Sequence, residues 1–331
     1  MDSNCQGSAA CGRYAPSPTG RLHLGNLQTA LLAWLQARLM GGRFILRMDD
    51  LDQPRIRPGA QQQILEDLAW MGLDWDEGPD VGGAYGPYLQ SQRTRYYAQA
   101  LDMLGKRKKI FACFCSRKDI ALAVGAPHPG DRNQPYPGTC RANLYPGGHQ
   151  TANPDDKKPL SWRYCVGDRK IVFDDLVRGR QEQDLATDAG DFVVKRKDGQ
   201  FAYQLTTVVD DGLMGVSDVV RGADLLSSTH RQIALISDLG FSKPRFWHMP
   251  LVYDFRNRRM SKRDGSDSLE QWQSAGKTAP QLIGEFAYPL GLIDQPGPLS
   301  TQELLASLDS TGFQEALRCL RTGKTAGQWQ C

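Results

Sequence analysis

The sequence predicts an α/β protein built on a Rossmann-like parallel sheet. Two observations support this prediction: a strand–helix–strand unit near the amino end, and polar loops that directly follow both of its strands. The chain has 331 residues, of which 40% are hydrophobic, so it can bury a sizeable core. A net charge of only +3 excludes a strongly basic nucleic-acid-binding protein, and any RNA contact must come from local patches.

The strand–helix–strand unit places two polar loops at one edge of the predicted sheet. Its parts are a strand at 13–15, a turn at 16–20, a helix at 27–39 and a strand at 44–48. Gly41 and Gly42 follow the helix, where a left-handed residue is favoured. A crossover of this kind makes both strands parallel, and such sheets bind ligands outside the carboxyl ends of their strands. We therefore expect the loop 16–26 and Asp49 to lie side by side.

The rest of the chain contains predicted helices and strands around one irregular stretch. The predicted helices are 61–75, 91–105, 230–239, 281–290 and 301–308, and the predicted strands are 192–196, 201–209 and 246–253. An Asp198-Gly199 pair favours a hairpin of the first two strands, and Ser228-Thr229 is a capping site for the helix at 230–239. Residues 125–159 are rich in proline, glycine and asparagine, which indicates loops held by something other than a core.

The amino-terminal residues 1–12 are small and polar. They lack the apolar run of a signal peptide and contain no stretch long enough to span a membrane. We therefore expect a flexible tail on a cytoplasmic protein that has no membrane partner.

Two short segments could act on a nucleotide. His23-Leu24-Gly25-Asn26 stands at the start of a predicted helix, where free backbone amides and the helix dipole favour phosphate, although a histidine there is often only a helix cap. The segment 258–265 carries four cations, among them Lys262, which could stabilise a leaving pyrophosphate. A solvated basic turn or a nucleic-acid patch is the alternative interpretation of that segment.

Together, the two segments resemble the two signature motifs of class I aminoacyl-tRNA synthetases of the glutamyl type. The first motif is 15–26 and the second is 259–263, and the segments 46–50, 90–93, 208–211 and 220–224 match the same family in order. The resemblance covers roughly residues 13–265. It implies an enzyme with a class I catalytic domain that binds ATP with Mg²⁺ and forms an aminoacyl-adenylate. It further implies that His23 and Lys262 are catalytic and that ATP contacts His23, Gly25, Asn26, Met260, Ser261 and Lys262.

The resemblance also implies a glutamate pocket, transferred position by position. Its residues are Arg13, Tyr14, Ala15, Pro16, Ser17, Asp49, Tyr203 and Arg221. Arginines can hold carboxylates as bidentate forks, and Asp49 can hold the substrate ammonium. The family usually has glutamate where this chain has Asp49, which shortens the reach by about 1.5 Å. Arg47 and Arg221 have a second interpretation, as structural ion-pair partners of nearby aspartates.

Three cysteines and a tyrosine predict one structural Zn²⁺ site. Cys113 and Cys115 lie two residues apart and would share one face of an extended segment. Cys140 and Tyr136 lie in the irregular stretch and could complete a tetrahedral site, although a cysteine pair is often only packing. The pattern resembles the zinc site of the short relatives of this synthetase family. His128 and His149 are the substitutes if Tyr136 is not a ligand.

The resemblance implies a particular acceptor for the activated glutamate. Only 69 residues follow Lys262, too few for the anticodon-binding unit of a full glutamyl enzyme. The expected relatives are the shorter ones, which activate glutamate without tRNA and transfer it to the queuosine base of tRNA(Asp). Three alternatives stay open: a truncated enzyme that charges tRNA(Glu), a nucleotidyltransferase of the same superfamily, and a non-enzymatic RNA-binding relative. The expected partners are ATP, L-glutamate and queuosine-containing tRNA(Asp), bound by a monomer.

This interpretation divides the chain into five parts. They are a tail at 1–12, the first half of the catalytic domain at 13–110, a zinc-binding insertion at 111–165, the second half of the catalytic domain at 166–255, and a signature loop with a small helical region at 256–331. Two basic patches, 106–109 and 195–197, could contact tRNA phosphates, or form solvated faces instead.

Overall fold

The structure, a computed structural model, describes residues 10–123, 135–143, 159–250 and 269–319. Its strands are β1 (Cys11–Tyr14), β2 (Arg43–Leu46), β3 (Ile110–Cys113), β4 (Ser161–Tyr164), β5 (Lys170–Asp175), β6 (Gly179–Asp184), β7 (Phe192–Lys195), β8 (Asp218–Gly222) and β9 (Arg245–Met249). Its helices are α1 (Leu24–Leu39), α2 (Ala60–Trp70), α3 (Thr94–Lys106), α4 (Arg117–Ala123), α5 (Leu185–Asp188), α6 (Tyr203–Leu213), α7 (Leu226–Leu239), α8 (Leu269–Ser274), α9 (Ala279–Ala287), α10 (Thr301–Ser307) and α11 (Ser310–Cys319). Within these ranges no helix combines the length and the apolar composition needed to cross a membrane.

The main sheet has the order β2-β1-β8-β9-β5-β6. β1 pairs in parallel with β2 and with β8, and β9 pairs in parallel with β8 and with β5. Only β6, at the edge of the sheet, is antiparallel to its neighbour. From β1 the chain continues through α1 to β2, which lies on one side of β1. Strand β8 lies on the other side of β1. The carboxyl end of β1 is therefore a switch point of the kind where open α/β sheets bind ligands.

Helix α1 joins β1 to β2 as predicted and is buried on most of its faces. Its leucines and alanines belong to the larger core cluster, which also contains Leu282 and Phe286 of α9 and Phe313 of α11. The carboxyl-terminal helices thus pack on the catalytic core itself. Gly42 is required after α1, because a Cβ there would lie 2.3 Å from the Ala10 carbonyl oxygen.

A second, smaller sheet has the order β3-β4-β7, with both pairs antiparallel. β3 ends at Cys113, so the predicted metal-binding segment begins at the edge of this sheet. β7 lies outside the predicted insertion at 111–165 but pairs with β4 inside it, which connects that segment to the rest of the core.

The structure differs from the predicted elements in several places; for example, helix α2 ends at Trp70 and not at residue 75. β1 begins at Cys11, so Cys11 and Gly12 belong to the sheet and not to the tail. Residues 203–213 form α6, and the predicted hairpin retains only a single bridge, between Lys195 and Phe201. The β-branched residues of this segment suggested a strand, but burial of its apolar face in the core stabilises a helix instead. Helix α7 begins at Leu226, which places Thr229 inside the helix and not at its cap.

Candidate active site

A cavity of about 700 Å³ opens at the carboxyl ends of β1, β2 and β8. Its wall contains every predicted residue of the glutamate pocket: Arg13, Tyr14, Ala15, Pro16, Ser17, Asp49, Tyr203 and Arg221. The predicted nucleotide residues His23, Gly25 and Asn26 line the same cavity. Met260, Ser261 and Lys262 lie outside the described residues. The predicted glutamate and nucleotide residues that the structure describes thus meet around one space, at the switch point of the sheet.

His23 is both the cap of α1 and a part of the cavity wall. Its Nδ1 accepts a hydrogen bond from the Asn26 amide at 3.2 Å, which is the capping role considered from the sequence. Because Nδ1 accepts, the neutral ring carries its hydrogen on Nε2. The cap therefore fixes the tautomer of His23 and leaves Nε2 as the donor nitrogen.

A network of buried arginines and aspartates lies at the cavity, and its members Arg13, Arg47 and Asp49 line the wall. Arg47 is fully buried, and its guanidinium bonds to Asp49 and Asp211, each at 2.8 Å. Arg13 contacts both carboxylate oxygens of Asp211 at 3.3 Å. These contacts confirm the structural ion-pair interpretation of Arg47. Arg47 and Arg13 also hold the pKa of Asp211 below its ordinary value, although burial acts in the opposite direction.

Asp49 has a different electrostatic environment from Asp211. Its side chain is 9% exposed and lines the cavity. Burial raises the pKa of Asp49 to about 6, and the attraction of Arg47 offsets this only in part. The positive charge near Asp49 therefore does not fully offset the cost of burying its ionised carboxylate. A cationic ligand in the cavity would add the missing positive charge.

Arg221 is buried at the end of β8 and lines the cavity. Its Nε and Nη2 donate to His248 Nε2 at 3.1 Å and to Thr229 Oγ1 at 2.8 Å. Its Nη1 is buried and makes no hydrogen bond of normal geometry to the described part of the chain. Burial lowers the pKa of Arg221, against the raising effect of Tyr203 and Asp211. A carboxylate in the cavity would satisfy Nη1 and favour the charged form.

Sequence reasoning missed several residues of the cavity wall, including Arg55, Thr207 and Leu225. Thr207 lies four residues after Tyr203 on α6, so helical spacing from Tyr203 could have identified it. Its hydroxyl is buried and has no hydrogen-bond partner within the described ranges. It is therefore a further polar group available to a ligand.

The three predicted cysteine ligands meet at a second site, beside the small sheet. The sulfur atoms of Cys113, Cys115 and Cys140 lie within 4.8 Å of one another. The Tyr136 hydroxyl lies 3.5 Å from the sulfur of Cys113 and 3.6 Å from that of Cys115. Tetrahedral Zn²⁺ with bonds of about 2.3 Å separates its sulfur ligands by about 3.8 Å, so the four groups could close around a metal ion. The substitutes His128 and His149 lie outside the described residues.

Several cationic side chains of the two basic patches form ion pairs or hydrogen bonds within the chain. Lys106 pairs with Asp102 at 2.7 Å and Lys109 with Asp238 at 3.5 Å, while Lys197 donates to the Phe114 carbonyl at 2.7 Å. These cations stabilise local structure. Contact between the patches and tRNA stays a prediction.

Comparison with known proteins defines the class of this fold and site. The sequence profile of the class I tRNA synthetases for E and Q, catalytic domain, matches residues 11–304, and the chain belongs to that family. A glutamate tRNA ligase from Elizabethkingia meningosepticum, solved in complex with its amino acid, superimposes with a TM-score of 0.80 at 28% identity. That match covers 92% of this chain and 66% of the ligase.

Within this class the chain is a member of the glutamyl-Q tRNA(Asp) synthetase family. The relative of that name from Symbiobacterium thermophilum is 48% identical over 300 residues, which covers 90% of this chain and 92% of the relative. The relative of that name from Nitratidesulfovibrio vulgaris is 45% identical over 299 residues, with the same coverage of both chains.

Proposed function

We propose that this chain activates glutamate with ATP as glutamyl-adenylate, without tRNA, and transfers it to the queuosine base at the wobble position of tRNA(Asp). The observation that carries the proposal is the single cavity in which Asp49, Arg221 and His23 meet. The names of the relatives from Symbiobacterium thermophilum and Nitratidesulfovibrio vulgaris support the choice of acceptor.

The amino acid is held by opposite charges on two sides of the cavity. The α-ammonium binds Asp49, whose burial is compensated by this added positive charge. The side-chain carboxylate binds Nη1 of Arg221, the one buried guanidinium edge of that residue without a hydrogen bond of normal geometry. Tyr203, Thr207 and the backbone at 14–17 complete the pocket.

The α-carboxylate of glutamate attacks the α-phosphate of ATP, and pyrophosphate leaves. The triphosphate lies at the amino end of α1, next to Gly25 and Asn26, where Nε2 of His23 donates to a phosphate oxygen. Met260, Ser261 and Lys262 belong to the same nucleotide site, and Lys262 neutralises the charge of the departing pyrophosphate. Mg²⁺ accompanies the ATP.

Zn²⁺ is the proposed occupant of the cysteine cluster, with Cys113, Cys115, Cys140 and Tyr136 as its ligands. Three soft sulfur ligands at this spacing are typical of a closed structural zinc site. When bound, the metal would cross-link the segment 135–143 to the end of β3 in the small sheet. The halves 13–110 and 166–255 form the catalytic domain, and the region 256–331 adds the signature loop and helices.

Transfer of radiolabelled glutamate tests the choice of acceptor. We expect label on queuosine-containing tRNA(Asp) and none on tRNA(Asp) that lacks queuosine, which is the matched control. Label on tRNA(Glu) alone would show that the chain charges the 3′ end of that tRNA, and the proposed acceptor would be wrong.

A further inference from the structure

Behind Arg221, on the side away from the cavity, lies a buried polar cluster that the proposed reaction does not use. Its members are Asp175 on β5, His248 on β9 and Thr229 on α7, and none of the three side chains reaches the cavity wall. Asp175 Oδ2 lies 2.6 Å from His248 Nδ1, and His248 Nε2 lies 3.1 Å from Arg221 Nε. The cluster thus forms a continuous chain of hydrogen bonds that ends on Arg221.

The sheet register produces this arrangement. Arg221 and His248 are directly paired neighbours on the parallel strands β8 and β9, so their side chains leave the same face of the sheet side by side. The next strand, β5, joins β9 through the pair Asp175 and Phe246. Three adjacent strands therefore contribute one residue each, which makes the geometry a property of the sheet.

The hydrogen-bond roles in the cluster are fixed by elimination. The Nε of Arg221 can only donate, so His248 Nε2 must accept from it. The hydrogen of the neutral ring then resides on Nδ1 and is donated to Asp175. Burial lowers the pKa of His248, against the raising effect of Asp175, and this favours the neutral ring. Thr229 Oγ1 accepts from Arg221 Nη2 and lies 3.0 Å from His248 Nε2, to which it can donate; its alternative acceptor is the Leu225 carbonyl at 3.4 Å.

Asp175 is itself held in one orientation. Its Oδ1 accepts hydrogen bonds from the backbone amides of Val177 at 3.0 Å, Arg178 at 2.7 Å and His248 at 3.3 Å. Oδ2 is left for the ring of His248, and it can act there only as an acceptor. This orientation specifies which nitrogen of His248 carries the hydrogen.

We propose that Asp175, His248 and Thr229 are positioning residues that fix the guanidinium of Arg221 with its Nη1 edge towards the glutamate carboxylate. This inference rests on the proposed function of Arg221. The cluster touches neither glutamate nor ATP. Its effect is to occupy Nε and Nη2, which holds the guanidinium in one orientation and leaves Nη1, the nitrogen without a hydrogen bond of normal geometry, for the substrate.

The variant Asp175→Asn reverses one hydrogen-bond direction with almost no change in shape. The three backbone amides retain the carbonyl oxygen of the new amide at the position of Oδ1, which turns its NH₂ group towards His248 Nδ1. Nδ1 must then accept, and the hydrogen moves to Nε2, where it opposes the N–H of Arg221. We expect the KM for glutamate to rise about 10- to 100-fold, the effect of losing a hydrogen bond to a charged group. The KM for ATP should stay within about twofold.

Two measurements test the inference independently. The chain has five histidines, so selective ¹⁵N-histidine labelling should resolve the tautomer of His248, which the variant His248→Gln assigns. We expect Nδ1–H in the natural chain and Nε2–H in Asp175→Asn. Glutamate-dependent pyrophosphate exchange then gives both KM values. Detection of the hydrogen of His248 on Nε2 in the natural chain would overturn the proposal. An unchanged KM for glutamate in Asp175→Asn would overturn it as well.

Further variants separate positioning from general stability. Asp218→Asn is the matched control, because Asp218 is equally buried on β8 but bonds to Trp247 at 3.0 Å and Arg245 at 2.8 Å, away from Arg221. It should leave the KM for glutamate unchanged. If Asp175→Asn does not fold, Thr229→Val should raise that KM and Thr229→Ser should restore it. Equal effects of Thr229→Val on the two KM values would contradict positioning. Absence of any glutamate-dependent exchange in the natural chain would instead refute the proposed function, while the tautomer measurement would still stand.

Discussion

Asp49 and Asp211 share the same arginine partner, and we predict that neutralising them changes stability in opposite directions. Arg47 bonds to both carboxylates at 2.8 Å. Asp211 has a second cation, Arg13, and its pKa is held below the ordinary value, whereas burial raises the pKa of Asp49 to about 6. The ionised form of Asp49 is therefore destabilising in the empty site, and the ionised form of Asp211 is stabilising.

The size of the Asp49 effect follows from its pKa. The pKa of the Asp49 carboxyl group is about 6 in the folded chain, against an ordinary value of 3.8. This difference corresponds to about 3 kcal/mol in the free energy of unfolding. The folded chain binds the proton of the Asp49 carboxyl group more tightly than the unfolded chain does. The contribution of this proton to stability is therefore complete below pH 3.8 and is lost as the pH rises through about 6. Asp49→Asn resembles the protonated form and keeps an oxygen for Arg47. It should therefore raise stability at pH 8 by up to about 3 kcal/mol, or roughly 4 °C in Tm.

The assay compares thermal unfolding of the natural chain, Asp49→Asn and Asp211→Asn at pH 5 and pH 8, without substrates. We expect a higher Tm for Asp49→Asn at pH 8, a smaller difference at pH 5, and a lower Tm for Asp211→Asn at pH 8. In the exchange assay, Asp49→Asn should raise the KM for glutamate about 10- to 100-fold, because the ammonium loses its charged partner. If Asp49→Asn lowers the Tm at pH 8 as Asp211→Asn does, then the main role of Asp49 is to stabilise the fold through Arg47 and not to bind the ammonium group of the ligand.

Three further predictions concern the rest of the site. The KM for glutamate should rise as the pH falls through about 6, where Asp49 becomes protonated, and it should be flat there in Asp49→Asn; a rise of equal size in both would contradict this assignment. Lys262→Ala should slow glutamate-dependent exchange much more than it weakens ATP binding, measured by calorimetry, and equal losses would exclude a role in pyrophosphate departure. Cys140→Ser should reduce the zinc content from about one ion per chain, measured by mass spectrometry, while finding no zinc in the natural chain would refute the site.

The local sequence was sufficient to predict the position of the main site. The β1-α1-β2 crossover is marked by apolar segments that are separated by proline- and glycine-containing turns, and the parallel pairing it predicts is confirmed. Both loops at its carboxyl edge then follow from a general rule about open sheets. The cysteine pair and Cys140 were predicted from composition, spacing and the family resemblance, and their sulfur atoms do meet.

Features that depend on tertiary packing could not be predicted in the same way. The segment 203–213 contains β-branched residues, and only its burial against the core makes it helical. Asp175 and His248 are 73 residues apart, and nothing local indicates that β5 will lie beside β9. The opposite pKa directions of Asp49 and Asp211 likewise depend on which arginines surround each carboxylate, which only the folded chain determines.

Pyrophosphate exchange into ATP, in the absence of tRNA, tests most directly whether this cavity activates glutamate. We predict exchange that requires glutamate, that aspartate and glutamine do not support, and that Arg221→Ala abolishes. Exchange that proceeds equally well with glutamine, or that survives Arg221→Ala with an unchanged KM for glutamate, would contradict the account.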